Sequence, residues 1–260
     1  MNQPTNKIPG DKLFVQVTYG DLTTKLWAIA LFKVNCEIYI APKDVRVADD
    51  TRISVIRSRL DKNNILRRIH APIYNTHEEG PAVLKEAYSV SSKYAKMIGA
   101  EAIVMHLEYE SEKEASLEEW FKNNVEIWDW IALAAEKDRI HVVVENHHEV
   151  SAEPVVKILS GVKSDSLKAC FDVGHFNIFG KKDVSLFLDD YPEGAIREVH
   201  LSDSFGDSDA HLPLGGGNID FLKFFETINR KGIDPVYTIE SKNLFGVLMG
   251  MRYLKRLGRL

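Results

Sequence analysis

Six short stretches of this chain end on, or carry, a side chain able to bind a metal. They are Arg-Arg-Ile-His70, Ile-Val-Met-His106, Val-Val-Val-Glu145, Phe-Asp172 with His175 three residues on, Val-His200 and Thr-Ile-Glu240. Asp209 and His211 follow the fifth of them, in Ser-Asp-Ala-His-Leu-Pro-Leu-Gly-Gly-Gly. Five histidines and four carboxylates make a mixed nitrogen and oxygen donor set. Such a set suits Zn²⁺, with Mn²⁺ as the other candidate, better than Mg²⁺ or Ca²⁺, whose sites are built from oxygen. His77, His141, His147 and His148 read as ordinary polar residues, Cys36 and Cys170 as strand interior, and Trp120, Trp128 and Trp130 as core. Gly215-Gly216-Gly217 reads as a tight turn that folds the Asp209–His211 loop back, rather than as a phosphate cradle.

For donors so far apart in sequence to meet, the elements that carry them must converge. Strands are expected at 13–17, 37–41, 66–70, 102–106, 141–145, 169–172, 198–201 and 235–240, where short apolar runs rich in β-branched residues occur. Segments with 3.6-residue apolar spacing separate them, at 21–34, 50–63, 80–98, from 116 through Ile131, 152–160, 219–231 and 241–257. Ser116 followed by Glu119 forms a capping-box pattern at the start of the clearest one. Eight strand–helix units in about 250 residues predict a single (β/α)8 TIM barrel over 1–260, with 1–11 as an N-terminal extension. In that fold every strand end opens on one face, which is where the donors fall.

Composition narrows the partners. The chain has 260 residues, 33 basic and 38 acidic, for a net charge of −5, which excludes a generic polycation that holds nucleic acid by charge alone. The N-terminal residues lack the apolar stretch of a secretory signal, and the longest apolar run, 26–32, is far short of the ~20 residues that cross a bilayer. With two isolated cysteines, a reducing cytoplasm is expected and a disulfide framework is not.

Five motifs carry a resemblance to a known family: His70-Ala-Pro, Val-Glu145-Asn, Phe-Asp172-Val-Gly-His175, His200-Leu-Ser-Asp203 and Asp209-Ala-His211-Leu-Pro-Leu-Gly215. The chain resembles the xylose isomerase-like barrels, the superfamily that joins endonuclease IV (AP endonuclease family 2) to many sugar isomerases and epimerases. Two branches of it imply different chemistry. The isomerase and epimerase branch holds one divalent metal, here through Glu145, Asp172, His200 and Glu240, and uses the two glutamates to move the proton α to a carbonyl. Gly206 and Ser151 stand where its ketose epimerases carry a substrate-anchoring Arg and a Glu. The endonuclease IV branch binds up to three zinc ions, and all nine of its ligands have counterparts. They would be His70, His106 and a shared Glu145 for the first, Glu145, Asp172, His200 and Glu240 for the second, and His175, Asp209 and His211 for the third. A branch that hydrolyses the phosphodiester of cobamides is also similar, through Val15-Gln-Val-Thr-Tyr19, Glu37-Ile-Tyr-Ile and Gly174-His-Phe-Asn-Ile-Phe179.

The presence of His70, His106, Asp209 and His211 tilts the expectation to a zinc phosphodiesterase acting on a small or medium-sized substrate. The alternative is a one-metal sugar or sugar-phosphate isomerase or epimerase with Glu145 and Glu240 as its acid–base pair. DNA is the disfavoured substrate, because the loop at 108–119 places six acidic residues and one lysine at the rim. Against that stand eight basic and four acidic residues in 43–68, read as a solvated helix face. The apolar final helix, 243–260, would close the barrel or support a homodimer.

Overall fold

A computed structural model of the chain describes residues 7–45, 50–180 and 182–260. Eight parallel strands close in sequence order: β1 Leu13–Thr18, β2 Asn35–Tyr39, β3 Arg67–His70, β4 Ala102–His106, β5 His141–Glu145, β6 Leu167–Asp172, β7 Ile196–Leu201 and β8 Val236–Ile239, with β1 paired to β8. The helices between them are α1 Tyr19–Phe32, α2 Asp50–Lys62, α3 Thr76–Glu79, α4 Val83–Ile98, α5 Leu117–Asp138, α6 Glu153–Val162, α7 Val173–Phe179, α8 Val184–Phe187, α9 Phe221–Arg230 and α10 Leu244–Arg256. The expected single TIM barrel is therefore what forms. Among the described residues no helix is long and apolar enough to cross a membrane.

Helix α5 shows why the helical periodicity was readable. Ser116 accepts the Glu119 N–H at 3.1 Å, which satisfies one of the free donors of the first turn. The buried residues Trp120, Ile127, Trp128, Ile131 and Ala135 then recur along one stripe against the sheet. Trp130 lies off that stripe and is 40% exposed, so the sequence expectation that it belongs to the core is corrected. The N-terminal extension is tied down at Ile8. Ile8 is buried and its N–H donates to the Arg259 carbonyl at 2.8 Å, so this stretch joins the closing end of the chain; residues 1–6 lie outside the described ones.

Side chains two apart on a strand point the same way, so the lumen is built in layers. Below His70 lies Arg68, below His106 Val104, below Glu145 Val143, below Asp172 Cys170, below His200 Glu198 and below Glu240 Thr238. One wall of the lower layer is apolar, with Val104, Val143 and Cys170 packed together apart from the main core between strands and helices. The other wall is charged. Arg68 meets the fully buried Glu198 at 2.8 Å, and Thr238 donates to Glu198 at 2.9 Å.

The reading of 43–68 as a solvated face holds for Arg57, Arg59 and Lys62 on α2, which are exposed, while part of the segment also makes internal contacts. Arg52 donates to the carbonyls of Tyr19 and Gly20, Arg57 to that of Met97, and Arg67 to those of Ile98 and Ile65, while Arg68 points inward. These cations staple loops and helix ends together. Residues 46–49 of that segment lie outside the described ones.

Burial lifts the Glu198 carboxyl to about 7, with Arg68 opposing the rise and Glu37 adding to it. Arg68→Met should therefore destabilise the fold by about 3–5 kcal/mol in denaturant unfolding, because it strands a buried charge. The loss should shrink at mildly acid pH, where Glu198 takes up a proton. Adding Glu198→Gln to Arg68→Met should restore much of it, and a double variant no better than the single would refute the pairing.

Candidate metal centre

The upper layer of the lumen gathers around Glu145, at the end of β5. Its Oε1 lies 3.1 Å from His200 Nδ1 and 3.5 Å from His175 Nδ1, and its Oε2 lies 3.1 Å from His70 Nε2 and 3.3 Å from His106 Nε2. Glu240, just past β8, sets Oε1 3.2 Å from the same His200 nitrogen and Oε2 3.2 Å from His211 Nε2. Asp172 Oδ2 is 3.9 Å from His200 Nδ1. Donor atoms of Glu145, Asp172, His200 and Glu240 all lie within 4.8 Å of one another, as do those of His70, His106 and Glu145. The first two expected ligand groups are thus assembled, and they share Glu145.

The third group is looser. Asp209 Oδ1 meets His211 Nδ1 at 3.2 Å, but Asp209 Oδ2 stands 4.0 Å from His175 Nε2, and the His175 and His211 rings are 6.4 Å apart. His211 is drawn towards the Glu240 carboxylate instead. All nine predicted residues face one mouth, with the compact groups centred on Glu145 and with Asp209 and His211 on the loop above.

Hydrogen bonds fix which nitrogen each ring offers. His70 Nδ1 donates to the Ala71 carbonyl at 3.0 Å, His175 Nδ1 to that of Asn146 at 2.9 Å, and His200 Nε2 to Glu37 Oε2 at 3.2 Å. The opposite nitrogens then point into the mouth, His70 Nε2 and His200 Nδ1 at Glu145 and His175 Nε2 at Asp209, the orientation expected of a histidine held ready for a metal. Asn146 completes the frame by bonding the backbone of Asp172 in both directions, which locks the end of β5 to that of β6. Asp172 in turn caps α7, accepting the His175 N–H at 2.6 Å.

Several participants escaped the sequence reading. Glu37 is fully buried under His200 and shares a Gln16 amide donor with Glu240. A carboxylate inside the apolar run Cys-Glu-Ile-Tyr-Ile was the available signal. Asp203 builds the loop that carries Asp209 and His211. Its Oδ2 accepts the Gly215 N–H at 2.9 Å, its Oδ1 those of Ser204 and Ile219, and its backbone pairs with Leu212. Gly217 must stay bare, since a Cβ there would collide with the Ser204 carbonyl oxygen. The glycine run is indeed a turn: the Gly216 N–H donates to the Pro213 carbonyl at 2.8 Å. His147, set aside as ordinary, packs its ring 4.3 Å from that of His106. Glu108, counted among the rim acids, is buried and faces His106 at 3.4 Å.

The donor chemistry fits a divalent cation. Burial pushes Glu145 and Glu240 up, but His200 outweighs it in both, helped by His106 for Glu145 and by His211 for Glu240, so both carboxyls lie well below their ordinary value. Burial likewise opposes protonation of His200, yet the carboxylates of Glu37, Glu145 and Glu240 hold its ring well above the usual imidazole value. Asp172 is the group left over. Burial lifts it to about 7, with His175 opposing and Glu240 and Glu145 adding to the rise, and its Oδ2 is buried with no hydrogen-bond partner among the described residues. A cation among these carboxylates would satisfy that oxygen and remove the repulsion.

The pH dependence of stability follows from the raised carboxyls. A carboxyl whose folded value, about 7, exceeds its ordinary 3.8 keeps a proton in the folded chain that the unfolded chain releases. Its contribution is complete below the ordinary value and is lost as pH rises through 7; Glu198 acts in the same sense. The chelated protein should accordingly melt at a lower temperature at about pH 8 than at about pH 5. Excess Zn²⁺ or Mn²⁺ should stabilise it most at the higher pH, because ligands bind metal deprotonated. A chelated chain that grows more stable over that interval would contradict an unpaired Asp172.

Comparison with known proteins accords with this geometry. The xylose isomerase-like TIM barrel family matches residues 36–257. An uncharacterised protein of Methanocaldococcus jannaschii is 26% identical over 239 residues, which is 86% of this chain and 78% of that one. Among solved structures, a D-tagatose 3-epimerase-like protein superposes with a TM-score of 0.77 at 24% identity, over 95% of this chain and 96% of its own. A Thermus thermophilus protein soaked with zinc chloride does so with a TM-score of 0.79 at 20% identity, over 95% and 97%. With most of its length matched, from β2 to the end of α10, this chain belongs to the xylose isomerase-like TIM barrel family.

Proposed function

We propose that the chain is a divalent-metal-dependent isomerase or epimerase of a small hydroxy-carbonyl compound, a sugar or sugar phosphate, with Glu145 and Glu240 as its acid–base pair. The observation that carries this reading is the placement of both carboxylates on the same His200 nitrogen, at 3.1 and 3.2 Å, with Asp172 alongside. Glu145, Asp172, His200 and Glu240 would hold the metal, whose charge would polarise the substrate carbonyl and acidify the neighbouring C–H.

The chain's own groups supply the proton handling. A base must be ionised before it can accept a proton, and the neighbouring imidazoles keep Glu145 and Glu240 in that state at neutral pH. Gln16 donates to Glu240 Oε1 and fixes that carboxylate, while Glu37 holds the His200 ring from below. The likeness to a D-tagatose 3-epimerase-like protein supports the same direction. Ketose 3-epimerisation with the familiar anchors is not part of the proposal. Gly206 and Ser151 offer neither guanidinium nor carboxylate, so substrate hydroxyls must be held by other groups, of which His175, Asp209 and His211 face the mouth.

A second reading, phosphodiester hydrolysis at a multinuclear zinc centre, rests on a different observation. The other oxygen of Glu145 faces His70 and His106, a second donor group that proton transfer alone does not call for. The unclosed third group weakens it.

Incubation of candidate ketoses and aldoses in deuterated water separates the two. The proposal expects solvent deuterium at the carbon α to the carbonyl. Glu145→Gln and Glu240→Gln should each slow that exchange by about 10²–10⁴-fold with the circular dichroism unchanged. Cleavage of a phosphodiester with no exchange into any sugar would replace the isomerase by the hydrolase, and an active Glu145→Gln enzyme would defeat both.

A further inference from the structure

On the side of the mouth where β4 and β5 end, a second group of donors stands beside the centre. His106 Nδ1 lies 3.4 Å from Glu108 Oε1, and the donors of His106, Glu108 and His147 all lie within 4.8 Å of one another. His106 is 7% exposed and Glu108 8%. His106 Nδ1, Glu108 Oε1 and His147 Nδ1 are all buried, and none has a hydrogen-bond partner among the described residues.

The contrast with the central histidines gives this its meaning. In His70, His175 and His200 one ring nitrogen is anchored on a carbonyl or carboxylate and the other faces a further member of the site, Glu145 for His70 and His200 and Asp209 for His175. His106 has no such hydrogen bond; its Nδ1 only faces Glu108 Oε1 at 3.4 Å. Its Nε2 lies 3.3 Å from Glu145 Oε2, and its other nitrogen points away, into the space shared with Glu108 and His147. Three buried polar atoms, two of them facing each other at 3.4 Å and none in a hydrogen bond, are costly unless something joins them. Bonds of about 2.0–2.2 Å in tetrahedral geometry put ligand atoms roughly 3.3–3.6 Å apart, and the His106–Glu108 pair already has that spacing.

We infer that His106 Nδ1, Glu108 and His147 form a separate rim site for a divalent transition-metal cation such as Zn²⁺. Two imidazole nitrogens and one carboxylate oxygen are borderline donors, suited to that class of ion and not to Mg²⁺ or Ca²⁺. His106 then serves the rim through Nδ1 and donates its Nε2–H to Glu145. It is therefore a positioning residue for Glu145 and not a ligand of the central cation. Glu149 supports the site from behind, its carboxylate accepting the N–H groups of His147 and Tyr109 and so tying the loop after β5 to the loop after β4. The site stands independently of the isomerase reading; only the hydrogen bond to Glu145 links the two.

The test counts zinc in the full chain, stripped with chelator, re-equilibrated with excess ZnCl₂ and freed of unbound metal by gel filtration. Glu108→Gln/His147→Gln should carry one equivalent fewer than wild type. Glu145→Gln/Glu240→Gln should keep the rim equivalent after losing the central one. Equal zinc in wild type and Glu108→Gln/His147→Gln would overturn the rim site. Should that variant fail to fold, anomalous scattering from zinc-loaded wild-type crystals decides the matter. A peak at bonding distance from His106 Nδ1 supports the site, and its absence there overturns it. A protein that keeps rim zinc but exchanges no deuterium into sugars loses the isomerase reading alone.

Discussion

Carboxylates crowded into a closed barrel must find positive charge or give up their own. Glu145, Asp172 and Glu240 lie within reach of one another, with Glu37 beneath, and water reaches none of them appreciably. Water would have weakened that repulsion many-fold, whereas here the neighbouring side chains must do so. His200 is the protein's own answer, touching Glu145 and Glu240 with one nitrogen and Glu37 with the other. It leaves Asp172 with an oxygen bonded to nothing among the described residues. The strand register follows from this demand, for His200 must lie opposite Asp172 on one side and Thr238 on the other to sit among all four carboxylates.

That demand also explains a lumen that departs from the branched apolar filling usual in such barrels. Below the site, one wall keeps Val104, Val143 and Cys170, while the opposite wall holds Arg68, Glu198 and Thr238. Each polar residue there hydrogen-bonds upward or sideways: Thr238 to both Glu37 and Glu198, and Glu37 to His200. The arrangement is a chain of polar contacts that starts at Arg68 and ends at the site, with Arg68 Nε and Glu198 Oε2 buried and in no hydrogen bond among the described residues. An apolar lower layer would have packed well, but it would have left Glu37 and His200 without orientation.

Much of this was legible because a barrel converts strand order into spatial convergence. Strands β4 and β5 fall where the apolar runs 102–106 and 141–145 put them, and their last residues, His106 and Glu145, are then forced onto the mouth. What stayed hidden follows local rules too weak to register. Helices α7 and α8 are seven and four residues long, too short for an apolar stripe, and α7 starts because Asp172 caps it. Glu37 sits mid-strand, where nothing local separates a buried acid from an exposed one. Asp203 works through backbone donors more than ten residues ahead, a pairing that exists only once the loop has folded. In the basic segment a count of charges does not separate the exposed Arg59 and Lys62 from Arg52 and Arg67, which donate to carbonyl oxygens.

The division of labour between the oxygens of Glu145 bears on how one scaffold can serve two chemistries. Oxygen Oε1 belongs with His200, Asp172 and Glu240, a group complete for one cation and one proton transfer. Oxygen Oε2 belongs with His70 and His106, and what these two rings do decides the rest. If both turn lone pairs inward, Glu145 becomes a bridge between two cations and can no longer act freely as a base. If His106 instead donates its Nε2–H, Glu145 Oε2 is held by that hydrogen bond and Oε1 is the oxygen left to a cation. The tautomer of one buried histidine, with Glu108 and His147 on its far side, would therefore decide whether Glu145 Oε2 accepts a hydrogen bond from His106 or shares a cation with it.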